Sequence, residues 1–416
     1  MKIADGVYVH FIPTQKYKTN RIVFRMTGSL NKQTIAKRAL VSQMLATANQ
    51  TYPTVQSFKE RLASLYGTQL STRVSTKGLT HSVDIELTYL KDAFIPTNEG
   101  LFWEVLGFLK ECLYKPLSRV AQYQNKVFDI EKHNLMTYLD VDTENNYYYS
   151  EVKGRELYFV NEGLKVPKYG QVELVEAETS FTAYQEFQSM LTRDRIDIFM
   201  VGEFDDYQVL QALHRFPLEG RQVDLQFSYS QPYVNVVKEK IEPRQSSQSI
   251  LQLGYQFPCQ YGDKDYFALI VFNAMFGEFA HSALFTTLRE KEGLAYSISS
   301  QFDIFTGLLE VYAGIEKSNR NQAMRGISRE LNYIKLGRFS SSLLNQTKKI
   351  IRMNALLSED HALTLVEQRF NKVIFGDKSL SLENWLDEIE KVTKKDVCRV
   401  ARQVKLQSLF FLEGVS

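Results

Sequence analysis

Alternating apolar and polar residues predict two early strands, at residues 7–12 and 21–26. Apolar residues then recur at helical spacing over residues 34–45, which predicts a buried helix. The same patterns predict the other elements of the first half: strands at 69–74, 81–90 and 196–201, and helices at 57–66, 101–113, 120–139 and 181–191. Helices and antiparallel-looking strands are therefore mixed, as in an α+β protein.

This order of elements repeats in the second half of the chain. Strands are predicted at 249–255, 296–304 and 307–313, with helices at 265–276 and 281–292 and three or four more between 321 and 386. Glycines that end a helix lie at 67 and 293, and glycines that end a strand lie at 202 and 414. The similar separations indicate an internal duplication. The region between the halves is rich in proline and glycine and has little periodicity, so we predict domains at 1–216 and 246–416 with a linker at 217–245.

Residues 140–160 form a polar segment that contains three consecutive tyrosines, Tyr147, Tyr148 and Tyr149. The pattern predicts a loop with a short helix. Adjacent phenol rings can stack on a ligand, but a tyrosine run in such a segment more often packs on a neighbouring domain. We therefore expect packing rather than ligand binding.

Composition and charge argue against several classes of function. The chain has 416 residues, 44% hydrophobic and 24% charged, and a formal net charge of +2. Because acids and bases are interleaved, no basic patch is expected for nucleic acid. Three widely spaced cysteines suggest neither a disulfide framework nor a thiolate zinc site. We also expect no signal peptide, no membrane segment and a cytoplasmic location.

The segment 276–299 carries the main candidate chemistry. A helical pattern delivers Arg289, Gly293 ends the helix, and a strand-like run delivers Tyr296. An arginine and a tyrosine placed in this way can donate hydrogen bonds to a peptide carbonyl and stabilise negative charge on its oxygen. From the chemistry of the residues alone, the favoured interpretation is a solvated helix-end cation and a half-buried strand tyrosine.

Local motifs of a complete hydrolase are missing from the sequence. No two of the six histidines lie within a helical turn of each other, as a zinc-binding helix requires. No nucleophile elbow, phosphate-binding loop or dinucleotide fingerprint occurs. A self-sufficient peptidase is therefore not expected.

The duplicated order and the 276–299 segment together resemble the pitrilysin/insulinase family of zinc peptidases, which includes the mitochondrial processing peptidase subunits. The resemblance covers nearly the whole chain. It implies two homologous α/β-roll halves, LuxS/processing-peptidase-like domains that form a clamshell.

The family's inverted zinc motif, H-x-x-E-H, is degenerate here. The segment M-L-A-T-A-N-Q-T-Y-P-T matches the region after the motif, which places the motif positions at Ala39, Ser42 and Gln43. On a later helix the resemblance retains an accessory acid as Glu131, but the third ligand position is Tyr138. Both histidines, the catalytic glutamate and the third ligand are thus replaced.

The second half retains what the family uses there. Arg289 and Tyr296 match the residues thought to hold the substrate's backbone opposite the zinc ion, whereas the glycine-rich loop before them is reduced to Phe276-Gly277-Glu278. The resemblance therefore implies a subunit that is inactive alone and holds no zinc. A homologous zinc-bearing peptidase subunit would be its partner, with a peptide as substrate. The alternative is a non-proteolytic peptide-binding or scaffold protein, which would be homodimeric if no such partner exists.

Overall fold

The computed structural model describes residues 1–95 and 100–415. The chain divides into two compact units, and each unit collects segments from distant parts of the sequence. The first unit consists of residues 1–141, 166–226 and 360–370. The second unit consists of residues 142–165, 227–359 and 371–416. The two domains predicted from the sequence are continuous segments. The structure instead places residues 142–165 in the second unit and residues 360–370 in the first.

A six-stranded sheet forms the centre of the first unit. Its strands are β1 (Lys2–Ala4), β2 (Val7–Pro13), β3 (Thr19–Ser29), β4 (Gln69–Lys77), β5 (Thr80–Leu90) and β8 (Arg195–Gly202). Their spatial order is β1-β2-β8-β3-β5-β4. The pair β2 and β8 is parallel, and the other neighbours are antiparallel. A separate short hairpin joins β6 (Ser118–Arg119) to β7 (Gln122–Tyr123).

A five-stranded sheet forms the centre of the second unit. Its strands are β9 (Lys238–Gln245), β10 (Ser249–Gln256), β11 (Ala295–Asp303), β12 (Leu308–Ile315) and β13 (Lys405–Val415). Their order is β11-β12-β10-β13-β9, and only the pair β13 and β9 among these neighbours is parallel.

The two sheets have the same topology. When the second order is read backwards, β9, β13, β10, β12 and β11 take the places of β2, β8, β3, β5 and β4, and the parallel pair falls at the same position. An arrangement this specific is expected of two copies of one ancestral unit. The duplicated α+β fold is therefore confirmed, while the clamshell arrangement stays a prediction.

Helices pack against the first sheet. Those of the first unit are α1 (Lys32–Leu45), α2 (Val55–Ser64), α3 (Leu101–Tyr114), α4 (Asn125–Glu144, to residue 141), α6 (Val172–Glu176), α7 (Ser180–Arg193) and α8 (Asp206–Leu213). Alternate residues of β3, namely Ile22, Phe24 and Met26, enter the main core of this unit together with residues of α1, α3 and α7.

The opposite face of the first sheet carries charged residues. Arg25 is 1% exposed and donates two hydrogen bonds of 2.8 Å to the carboxylate of Asp84. It also donates to Glu367 at 2.5 Å, on the first part of α12 (Ala362–Phe375). Because a buried cation needs such partners, this network anchors residues 360–370 to the sheet.

The second unit has its own helices and core. The helices are α5 (Asn146–Tyr158), α9 (Tyr266–Asn273), α10 (Arg320–Lys335), α11 (Ser341–Ser358), the end of α12, α13 (Leu382–Lys391) and α14 (Lys394–Gln403), and two π-helical segments, π1 (Ala274–Glu278) and π2 (Phe285–Lys291), follow α9. Short 3-10 turns lie at Asp92–Phe94, Lys317–Asn319 and Gly376–Lys378. The core lies between one face of the sheet and α9, α10 and α14.

Three sequence predictions require correction. Residues 140–160, predicted as loop and short helix, form the end of α4 and the helix α5, because the side chain of Asn145 accepts hydrogen bonds from the first backbone N–H groups of α5. The helix predicted at 281–292 is π-helical from Phe285 to Lys291. Residues 238–245 of the predicted linker form β9, since they pair with β13. Among the described residues, no helix has the length and apolar character needed to span a membrane.

Candidate functional site

The degenerate motif positions lie on α1 and are not arranged to bind metal. Ala39 is fully buried, and Ser42 is 3% exposed. The Ser42 hydroxyl donates to the carbonyl oxygen of Ala39 at 2.7 Å, so its proton is used inside the helix. Gln43 is partly buried and offers only a neutral amide. None of these side chains can act as a base or as a strong zinc ligand.

A buried charged cluster holds α1 in place one residue before Ala39. Arg38 donates from Nε to Nδ1 of His81 at 3.0 Å and from Nη2 to Asp194 at 2.5 Å. Nε2 of His81 lies 2.8 Å from the carbonyl oxygen of Lys168, so Nε2 carries the proton and Nδ1 is the acceptor. Burial, reinforced by the charge of Arg38, lowers the pKa of His81 to about 3. This histidine is a neutral structural residue.

The two candidate residues on α4 also depart from a zinc site. Glu131 is 9% exposed, and its carboxylate accepts a hydrogen bond of 3.4 Å from the side chain of Asn134. Tyr138 is 48% exposed, and its ring packs edge-on against Tyr169 with the centroids 5.9 Å apart. A phenol ring thus stands where the resemblance places a carboxylate ligand.

The described residues do not fit a catalytic zinc ion. Such an ion needs three protein ligands drawn from histidine, cysteine and carboxylate side chains. Within residues 1–95 and 100–415, no three such side chains come close enough together to hold a metal. The zinc motif is therefore lost in the folded chain as well as in the sequence.

Arg289 lies near the end of π2 and faces solvent. Its side chain is 44% exposed, and the guanidinium packs over the ring of Phe285 at 4.6 Å from the centroid. Nε lies 3.8 Å from a carboxylate oxygen of Glu290, a weak pairing for exposed groups. Single-turn π-helices occur frequently at functional sites. The buried neighbour Leu288 anchors this segment to the core.

A hydrogen-bonded turn connects π2 to the strand that carries Tyr296. Gly293 has φ +60°, a left-handed conformation that favours glycine. The backbone N–H of Glu292 donates to the carbonyl of Thr287 at 2.9 Å, and that of Leu294 donates to the carbonyl of Leu288 at 2.8 Å. These two bonds, which span five and six residues, close the end of π2.

Tyr296 is the extra residue of a β-bulge at the start of β11. Ala295 pairs with Ile315 and Ser297 pairs with Gly314, which leaves Tyr296 without a partner residue on β12. Its side chain is 58% exposed, whereas Ala295 is 5% exposed. A bulge redirects side chains and is over-represented beside active sites. Both candidate residues are therefore presented to solvent by one ordered turn.

The sequence reading missed Glu316, which contacts Tyr296. The Tyr296 hydroxyl donates a hydrogen bond to the Glu316 carboxylate. This bond raises the pKa of Tyr296, and it directs the one phenol proton at Glu316. Glu316 follows β12, and only the register of β11 against β12 brings it close. No local pattern could have identified it.

The residual Phe276-Gly277-Glu278 segment packs behind β11. A Cβ atom on Gly277 would lie 2.6 Å from the Ser300 hydroxyl and 2.8 Å from the Ser300 nitrogen. The Ser300 hydroxyl also donates to the side-chain oxygen of Asn273 at 2.8 Å. The glycine is therefore needed for close packing of π1 against the strand that carries Tyr296.

Comparisons with known proteins identify relatives of the chain. The family described as "Peptidase M16 inactive domain" matches residues 184–351. The chain is 30% identical to "Probable inactive metalloprotease YmfF" of Bacillus subtilis (strain 168), over 98% of this chain and 96% of that protein.

Solved structures show the same fold. A conserved protein from Enterococcus faecalis V583 has a TM-score of 0.97 and 36% identity, and the match covers 100% of this chain and 98% of that one. A protease from Helicobacter pylori has a TM-score of 0.77 over 98% of this chain and 97% of that one. Its identity of 14% limits the likeness to the fold.

Proposed function

The chain belongs to the pitrilysin-type M16 peptidase family as an inactive metalloprotease homologue, and from this premise we propose that it is the non-catalytic subunit of a two-chain zinc peptidase. A homologous partner would carry the zinc ion, which activates water and polarises the scissile carbonyl. This chain would contribute Arg289 and Tyr296 to the bound peptide.

One observation carries the proposal: an ordered turn exposes a cation and a phenol, while every zinc-motif position is occupied by a non-ligand. Arg289 lies on π2, and Tyr296 is the bulge residue of β11. The guanidinium has five N–H donors, and the phenol has one O–H donor. Fixed donors of this kind stabilise a carbonyl oxygen as negative charge develops on it.

The position of β11 supports a role in peptide binding. β11 is an edge strand of the second sheet and begins at the bulge that carries Tyr296. A peptide can pair with a free sheet edge through main-chain hydrogen bonds, which gives affinity with loose sequence preference. Donors at the start of β11 would then reach a carbonyl of the added peptide.

The alternative function is peptide binding or scaffolding without catalysis. The existing contacts of the two residues favour it, since Tyr296 already donates to Glu316 and Arg289 already packs on Phe285. On this alternative the pair stabilises a helix end and a strand, and no partner's reaction depends on it.

Reconstitution tests the proposal. The tagged chain is purified from its own cell with the proteins that bind it, and each homologous zinc peptidase recovered is also produced alone. Zinc content and cleavage of a long unstructured peptide are measured for each chain and for their mixture. We expect zinc in the partner and faster cleavage in the mixture. Equal rates with and without this chain would refute the proposal.

A further inference from the structure

The tyrosine-rich helix α5 reaches the strand that carries Tyr296. The Tyr147 hydroxyl lies 2.6 Å from the Ser297 hydroxyl and donates to the side-chain oxygen of Gln248 at 3.2 Å. The Tyr147 and Ser297 hydroxyls therefore share a hydrogen bond, in which either oxygen can be the donor. This contact joins residues 150 positions apart in the sequence.

Gly314 provides the space for this contact. A Cβ atom at Gly314 would lie 2.2 Å from the Tyr147 hydroxyl and 3.0 Å from the Ser297 hydroxyl. Gly314 is also the β12 residue that pairs with Ser297 after the bulge. The absence of a side chain on β12 therefore allows Tyr147 to cross the strand and bind β11.

Helix α5 is itself held firmly to the sheet. Arg155 donates to both carboxylate oxygens of Glu310, at 3.0 and 2.8 Å. Tyr149 donates to Glu242 on β9, at the opposite edge of the sheet. The ring of Tyr147 also packs edge-on against Tyr312, with the centroids 5.7 Å apart. The Tyr147 side chain is therefore held in place by its hydrogen bonds and its ring contact.

We propose that Tyr147 is a positioning residue for Tyr296: its bond to Ser297 fixes the β-bulge and hence the direction of the phenol. The role in peptide cleavage rests on the proposed function. The bulge leaves Tyr296 without a residue opposite it on β12 and disrupts the hydrogen-bond ladder between β11 and β12 at this point. The contact with Tyr147 fixes Ser297, the residue that follows Tyr296.

Amide hydrogen exchange on the isolated chain tests the positioning directly. Tyr147→Phe keeps the ring packing and removes the hydroxyl bonds. We expect exchange of the 295–299 amides to rise about tenfold, as for one lost hydrogen bond. Tyr149→Phe is the control on the same helix and should instead affect residues 238–245. Unchanged exchange at 295–299 in Tyr147→Phe would overturn the proposal, as would an equal rise in Tyr149→Phe.

A second measurement separates this inference from the proposed function. In the two-chain complex, Tyr147→Phe should lower kcat about tenfold with little change in KM, and it should have no further effect when Tyr296→Phe is already present. Additive losses would contradict a role through Tyr296. If Tyr296→Phe alone has no effect on cleavage while exchange rises as expected, the proposed function fails and the positioning stands.

Discussion

The hydroxyl of Tyr296 donates a hydrogen bond to the carboxylate of Glu316, a residue twenty positions later that follows the neighbouring strand. This bond favours the protonated phenol and raises its pKa. We predict that Glu316→Ala lowers the pKa of Tyr296 toward the ordinary value of about 10. Titration of ¹³C-labelled tyrosine by NMR, with Tyr296→Phe to assign the signal, measures this change. Glu290→Ala, beside Arg289, is the control, and an unchanged titration in Glu316→Ala would refute the interaction.

The isolated chain should bind no stoichiometric zinc and cleave no peptide. Restoring the motif alone, with Ala39→His, Ser42→Glu and Gln43→His, should also fail, because Tyr138 leaves the third ligand missing. Two of the three positions are buried, so the larger side chains should also cost stability.

Zinc content after dialysis of the purified variants measures the outcome. Adding Tyr138→Glu to the triple variant is the matched comparison, since it supplies the missing carboxylate. Stoichiometric zinc in the natural chain or in the triple variant would contradict the prediction.

Buried His81 should make stability depend on pH. Burial and Arg38 lower its pKa to about 3, below the unfolded value of about 6.5. Between these two pKa values the unfolded state binds a proton at His81 and the folded state does not. The contribution of neutral His81 to the free energy of unfolding is therefore present above pH 6.5 and is lost as pH falls toward 3. From pH 6.5 to 5 the loss should be about 2 kcal/mol.

Urea unfolding of His81→Gln between pH 7 and 5 tests this linkage. The substitution should flatten the pH dependence whatever its effect on absolute stability. His214→Gln, at an exposed position, is the control. The same slope in His81→Gln and in the natural chain would contradict the assignment of His81 as a neutral buried residue.

Substitutions in the turn of the β6–β7 hairpin should raise the stability of the chain. Its two central residues, Val120 and Ala121, have φ +54° and +56°, a left-handed conformation that suits asparagine and glycine in such turns. Replacing them by Asn and Gly should stabilise the chain by about 1–2 kcal/mol. The urea midpoint should rise without a change in slope, and Val160→Asn, another exposed valine, serves as control. A lower midpoint for the paired change would refute the strained turn.

Sequence patterns predicted the features that depend on residues close together in the chain. The repeated order of elements corresponds to the repeated strand topology, and the helix-ending glycines at 67 and 293 both have the left-handed conformation. The pairing of distant segments could not be predicted. The bulge at Tyr296 is a property of register with β12, and the contact of Tyr147 with Ser297 joins residues of α5 and β11. A short helix was predicted in this region, but the full length of α5 was not, because many of its buried contacts are made by tyrosine rings in a polar segment.

The central claim is that Arg289 and Tyr296 serve a partner's active site, and turnover by the two-chain complex tests it most directly. The natural chain, Arg289→Ala and Tyr296→Phe are each mixed with the zinc-bearing partner, and cleavage of a long unstructured peptide is timed. Arg338→Ala and Tyr333→Phe, an exposed arginine and tyrosine of the same unit, are the matched controls. The account predicts at least about a hundredfold slower turnover for each site variant, with assembly and zinc content intact. Natural rates from both site variants would contradict it.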